Sequence, residues 1–492
     1  MVRPVRMSII AISAILVLFT LQIGVSAKKK SSKRKNRTAR SMPVIPVQRS
    51  VPVIVTPPVL SPAAADNSFI NMSAPMQRAS AASSTPTAVS GSGIGTPGGD
   101  NDGKGKPWQL VPKAPAAGSL IISEFRVRGP SGANDEFIEI YNDSGADHTV
   151  AAISGTGYAI AASDGTTRCS IPNGTIIPAR GHYLCTNSVA YSLGGYATGD
   201  ATYAADIPDN AGIALFNNNT GGGSFVLANR FDAVGSTSEA NTLYKEGTGY
   251  PALTPFSIDY AFYRDECGKG GSITTMGACT ISTPKDTDNN ATDFIFVDTN
   301  GTSAGAGQRL GAPGPQNLAS PIQRNSTIAE NLLDATVAKA NPPNRVRDFT
   351  SVPAQNSTFG TLSIRRRFVN NTGANVTRLR FRIIDITTFP APSGIADLRH
   401  RTSGAVVVAG INDSVTCTAA GQATPCSVTV QGTTVEEPPS QPNGGAFNSS
   451  WSAGTVTLGT PLANGASINL QFLLGIQQTG NFKIYINVEA LP

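Results

Sequence analysis

The chain has 492 residues, of which 40% are hydrophobic and only 14% charged, with 50 Gly and 34 Pro. So many breakers with so little Lys and Glu exclude a long-helix or coiled-coil protein, and the charge content is low for a cytosolic enzyme; turn-rich β structure fits better. The net charge of +6 is that of a tail and not of a basic fold, because residues 1–50 hold eleven basic groups and no acid, leaving residues 51–492 acidic by five.

Arg3 and Arg6 precede an apolar run from Met7 to Val25, and Val25-Ser26-Ala27 offers a small-residue cleavage site. Residues 1–27 therefore read as a secretory signal peptide. The run is also long enough to span a bilayer, and the basic stretch Lys28–Arg40 opposes export, so an uncleaved anchor is the second reading. Membrane contact is expected only through residues 7–25, and only in that case. Residues 28–117 read as a disordered linker, basic at first and then rich in Pro, Ala and Gly, with too little bulky apolar surface to offset its ordering entropy.

Residues 118–318 form the first expected domain. Phe125/Val127 and Ile138/Ile140 alternate with polar neighbours, and further strands are expected at Tyr158–Ile160, His182–Leu184, Gly212–Phe216, Phe225–Leu227 and Ile258–Tyr263. Asn, Gly and Asp clusters between them are turn chemistry. The loop Asn134-Asp135-Glu136, with Glu124 and Glu139, offers paired carboxylates; in a loop between strands such groups also cap backbone N–H groups or pair with Arg126 or Arg128. Asp286, Asp288, Asn290 and Asp293 space their oxygens as a calcium loop would, although Ala291 stands where an EF-hand has Gly and Val297 where it has Glu. Calcium is thus the one cofactor the chain suggests, at an irregular site.

Six cysteines fall in three close pairs: Cys169 with Cys185, Cys267 with Cys279, and Cys417 with Cys426. An even count behind an export signal suggests disulfides, and local pairing is the simple choice. No C-x-x-C is present and the histidines (His148, His182, His400) are scattered, which argues against zinc.

Residues 319–344 read as a helical connector: Thr327-Ile328-Ala329-Glu330 fits a capping box, Ile328 and Leu332 share a face, and Pro342-Pro343 stops it. Residues 345–492 form a second β domain. Leu379/Phe381/Ile383 alternate with Arg378/Arg380/Arg382, and Phe482/Ile484/Ile486/Val488 with Lys483/Tyr485/Asn487/Glu489, the pattern of strands with one wet face. The last strand is expected to be central. If Arg365 and Arg367 join Arg378, Arg380 and Arg382 on one face across a strand pairing, they make a patch for a polyanion. The alternative is a solvated sheet face.

Ile122-Ser123-Glu124 followed by Asn134–Asn142, then Gly181–Leu184, Ile207–Leu215, Phe231–Gly235, Asp293-Phe294 and Leu310–Asn317, together resemble the lamin-tail domain in its exported bacterial form. The resemblance covers residues 118–318, and it implies an immunoglobulin-like sandwich that binds or scaffolds rather than catalyses. The C-terminal domain is similar, less specifically, to β-sandwich modules of bacterial surface proteins. No H-E-x-x-H or Walker loop occurs.

The expectation is an all-β, exported protein: two antiparallel β-sandwiches after a signal and a linker, extracellular, periplasmic or on the cell surface. Its role is expected to be structural, adhesive or binding and non-catalytic, toward an unknown protein or envelope polymer and without specific nucleic-acid recognition. Two alternatives are a polyanion-binding module for extracellular DNA or acidic glycan, and a secreted hydrolase accessory or phosphoesterase using Asp135 and Glu136.

Overall fold

The computed structural model describes residues 69–71, 120–253, 257–266, 284–301, 308–324, 327–436, 444–445 and 447–492. The expected signal, the basic tail and most of the expected linker lie outside the described residues. Phe69–Asn71, inside the expected linker, forms a short strand parallel to Lys483–Leu491. Among the described residues the chain is nearly all β, with 47% strand and 7% helix.

The first sandwich packs a seven-stranded sheet on a four-stranded one. In spatial order the larger sheet runs Gln308–Leu310, Phe294–Asp298, Tyr260–Arg264, Leu120–Arg126, Phe137–Asn142, His182–Asn187 and Ala201–Tyr203; the smaller runs Arg230–Val234, Ile213–Phe216, Gly157–Ala162 and Thr167–Pro172. Period-2 alternation builds the core between them. Leu120, Ile122, Phe125, Ile138, Ile140, Tyr183 and Phe262 point to the smaller sheet and meet Ile160, Ile213, Leu215 and Val234. The Cys169–Cys185 disulfide crosses this core and ties the two sheets together.

The second sandwich packs a six-stranded sheet on a five-stranded one. The six-stranded sheet runs Phe69–Asn71, Lys483–Leu491, Val376–Ile386, Ser450–Leu462 and Thr434–Glu436, with Ile322–Gln323 also on Lys483–Leu491. The five-stranded sheet runs Ile328–Leu332, Thr361–Asn370, Ser467–Gln478 and Asp397–Arg401, with Arg345–Asp348 also on Thr361–Asn370. The last strand is interior, as its apolar face requires. Phe368, Phe381, Trp451 and Phe472 form the aromatic centre of this core. Cys417–Cys426 fastens the short helix Ser414–Ala419 to the hairpin strand Cys426–Val430.

Two of the three expected disulfides, Cys169–Cys185 and Cys417–Cys426, are therefore formed. The third expected bond, between Cys267 and Cys279, is not among them, because Cys267 and Cys279 both lie outside the described residues.

Two expected elements differ. The helical connector is instead strand: Ile328–Leu332 pairs antiparallel with Thr361–Asn370, Ile328 opposite Asn370. Of the capping-box residues only Thr327 lies outside this strand; the N–H groups of Thr327 and Ile328 donate to the Arg324 carbonyl. A single short amphipathic turn loses to a sheet edge that offers backbone partners for the whole segment. Phe225–Leu227, expected as a strand, joins two 3₁₀ turns, with Phe225 stacked on Phe216 and Val226 and Leu227 exposed.

Candidate functional site

The expected arginine patch does not assemble. Thr361–Asn370 and Val376–Ile386 do not pair; they belong to opposite sheets, so Arg365 and Arg367 face away from Arg378, Arg380 and Arg382. Arg365 and Arg367 reach Gln471 and Thr416. Arg366 is buried and faces Glu330 at 2.5 Å. Arg378 donates to the Ala319 carbonyl.

Arg380 and Arg382 are buried, because the face expected to be wet is covered by the outer face of the seven-stranded sheet. Both hold Glu489, Arg380 Nε at 2.6 Å from Oε2 and Arg382 Nε at 2.8 Å from Oε1. From the first sandwich, Glu139 accepts from the Gln316 N–H at 2.6 Å, Glu124 accepts from the Gly314 N–H at 2.8 Å, and Glu266 accepts from Asn487 at 2.6 Å. Burial, and then the Glu139 charge, push the Glu124 carboxyl up to about 8 against the pull of Arg382. The segment Gly311–Gln316 is threaded through this seam. A Cβ on Gly314 would run into Arg382 Nη1 and the Asn448 carbonyl, so only glycine fits.

The carboxylates of the acidic loop are engaged within the fold. Asp135 pairs with Arg126 and accepts from the backbone N–H groups of Ser131 and Ser192. Glu136 accepts from Ile207 N at 2.7 Å and Asn187 Nδ2 at 2.8 Å. Arg128 pairs with Asp209 instead of a glutamate.

The four expected calcium ligands do not form one cluster, although Asp286 and Asp293 both meet Arg264. Asn290 is buried, donates to the Ala233 carbonyl and accepts from the N–H groups of Gly235 and Glu246. Asp293 accepts from the Thr287 N–H and hydroxyl. Asp288, at φ 54°, turns the loop. Asp286 alone joins a carboxylate cluster, with Asp232 and Glu246, in which one oxygen of each lies within 4.8 Å of the others.

Local structure explains how that cluster forms. A bulge between Ile122 and Glu124 interrupts the pairing of Leu120–Arg126 with its neighbour. Asp232 reaches across from the smaller sheet to accept the Ile122 N–H at 2.6 Å, while Arg264 donates to the Ile122 carbonyl at 2.9 Å and to Asp232 at 2.7 Å. Arg264 also meets Asp286 at 3.1 Å and Asp293 at 3.6 Å. Glu246 meets Arg230 at 2.9 Å through Oε1, while its Oε2 is buried with no hydrogen-bond partner. Burial, with Asp232 adding and Arg230 opposing, pushes the Glu246 carboxyl up to about 10. Burial and then Asp232 push Asp286 up to about 6 against Arg264. Asp232 and Glu246 were missed from sequence. The available signal was an Asp inside the apolar strand Phe231–Val234.

No family model, curated protein or solved structure matches the chain.

Proposed function

We propose that the protein is an exported, non-catalytic binding or scaffolding protein whose first sandwich is of the lamin-tail type. The observation that carries this reading is the seam. Two sandwiches whose outer sheet faces are buried against each other, with their charges paired, make one stiff body suited to hold or present a partner. The disulfides Cys169–Cys185 and Cys417–Cys426 suit an oxidising compartment. Among the described residues no helix is long and apolar enough to cross a membrane. The carboxylates that a hydrolase would draw on, Asp135 and Glu136, are engaged by Arg126, Asn187 and backbone N–H groups, which supports a structural role for that loop.

Fractionation of the native cells, with intact mass before and after thiol alkylation, tests it. The expected result is protein outside the cytoplasm that begins at Lys28, or is membrane-held with residues 1–27 intact, and takes up no alkylating agent. A cytosolic protein with reactive thiols would overturn the proposal.

A further inference from the structure

One group of buried charges in the first sandwich is out of balance. Asp232, Glu246, Asp286 and Asp293 sit around Arg264 and Arg230, four carboxylates against two guanidinium groups. Buried like charges at such spacing demand a compensating cation or a proton. Arg264 serves Asp232, Asp286 and Asp293 together, and Arg230 engages only one oxygen of Glu246. The other oxygen, Oε2, has no partner, on a side chain that is only 2% exposed and whose carboxylate belongs to the cluster.

We propose that Asp232, Glu246 and Asp286 bind a hard divalent cation of the calcium type. The donors are all carboxylate oxygens, the set that calcium prefers and that zinc or copper does not. Three oxygens within 4.8 Å of one another all lie within about 2.8 Å of a common centre, so a shift of a few tenths of an ångström brings them to the 2.3–2.6 Å at which calcium is held. An ion there adds two positive charges where the four carboxylates exceed the guanidinium groups by two. Asp286 keeps its side chain partly exposed, at 11%, which gives water a route to fill the remaining coordination positions. The ion would link three stretches that are distant in sequence: the strand Arg230–Val234, the turn after Thr242–Tyr244, and the loop before Asn290. Two nearby arginines weaken binding, so the affinity belongs with extracellular calcium modules, with Kd on the order of 10⁻⁴ to 10⁻³ M.

The test uses the full chain, freed of metal with EDTA and then titrated with calcium chloride. The readouts are equilibrium dialysis and thermal unfolding. One calcium per chain is expected, with a melting temperature raised by about 3–6 °C at calcium a hundredfold above Kd. Glu246→Gln keeps the shape and removes the charge; Asp286→Asn does the same at the solvent side, should the first variant fold poorly. Loss of both bound calcium and the thermal shift in whichever variant folds supports the site. No binding by the unaltered protein overturns it. So does loss in Asp288→Asn with retention in Glu246→Gln, since the ion would then sit in the loop and not in the cluster.

Discussion

His400 lies on the strand Asp397–Arg401 with its ring 5.9 Å from Trp451, buried, Nε2 3.1 Å from the Ser449 hydroxyl. Burial pulls its pKa down to about 4, with the Gly444 carbonyl opposing weakly. In the unfolded chain the same side chain titrates near 6.5. Between those two values the unfolded state takes up a proton that the folded state refuses. Stability from this residue is therefore full above about pH 6.5 and is lost as pH falls toward 4. The difference corresponds to on the order of 3 kcal/mol. Urea unfolding at pH 7 and pH 4.5 should show the unaltered protein losing about 2 kcal/mol more than His400→Gln over that interval. Equal losses in the two proteins would remove His400 as the source.

Among the elements, the clearest to read in the sequence were those with strict alternation. Leu379/Phe381/Ile383 and Ile484/Ile486/Val488 fix their strands because a one-residue slip would move every apolar side chain out of the core. Ile328–Leu332 was hidden, since a capping box is a local signal and the pairing with Thr361–Asn370 is a distant one. The arginines show a second kind of limit. Alternation correctly sets Arg380 and Arg382 on one face, but nothing local says that another sheet covers it. The carboxylate cluster is harder still, because its three members come from separate stretches that meet only in the folded chain. Two of the local cysteine pairs were legible, and their effect belongs to this scale. Cys169–Cys185 closes a 16-residue separation between two sheets, and Cys417–Cys426 a separation of 9 between a helix and a hairpin. On chain entropy alone the first contributes about 3 kcal/mol and the second about 2.5 kcal/mol. Denaturation of the Cys169→Ala/Cys185→Ala pair should show a loss at least as large as that of Cys417→Ala/Cys426→Ala. The reverse order would mean that native-state geometry, and not loop closure, sets the contribution.

At the scale of the whole molecule, what matters is how the two sandwiches are held as one body. Apolar side chains from both, Phe137, Leu184 and Tyr263 from the first and Phe447 and Trp451 from the second, belong to one continuous cluster. Beside it lies the charge seam, in which Glu489 is shared by Arg380 and Arg382 and also accepts from Gln316 Nε2 at 3.3 Å. Burial raises the Glu489 carboxyl, but the two guanidinium groups outweigh it and hold the group below its ordinary value. Removing it leaves two buried cations with too few partners, and such breakage costs about 3–5 kcal/mol. Glu489→Ala should therefore unfold at lower denaturant. If the seam is what couples the sandwiches, the unaltered protein should unfold in a single transition that splits into two in this variant. Deleting a charge together with its mate is far milder than deleting it alone. Arg382 also feels Glu124 and Glu139, so it keeps opposite charge when Glu489 is gone. Arg380→Met/Glu489→Met should accordingly recover a substantial part of the lost stability and the single transition. Should the double variant unfold as readily as Glu489→Ala, the seam would act through shape at position 489 and not through charge balance.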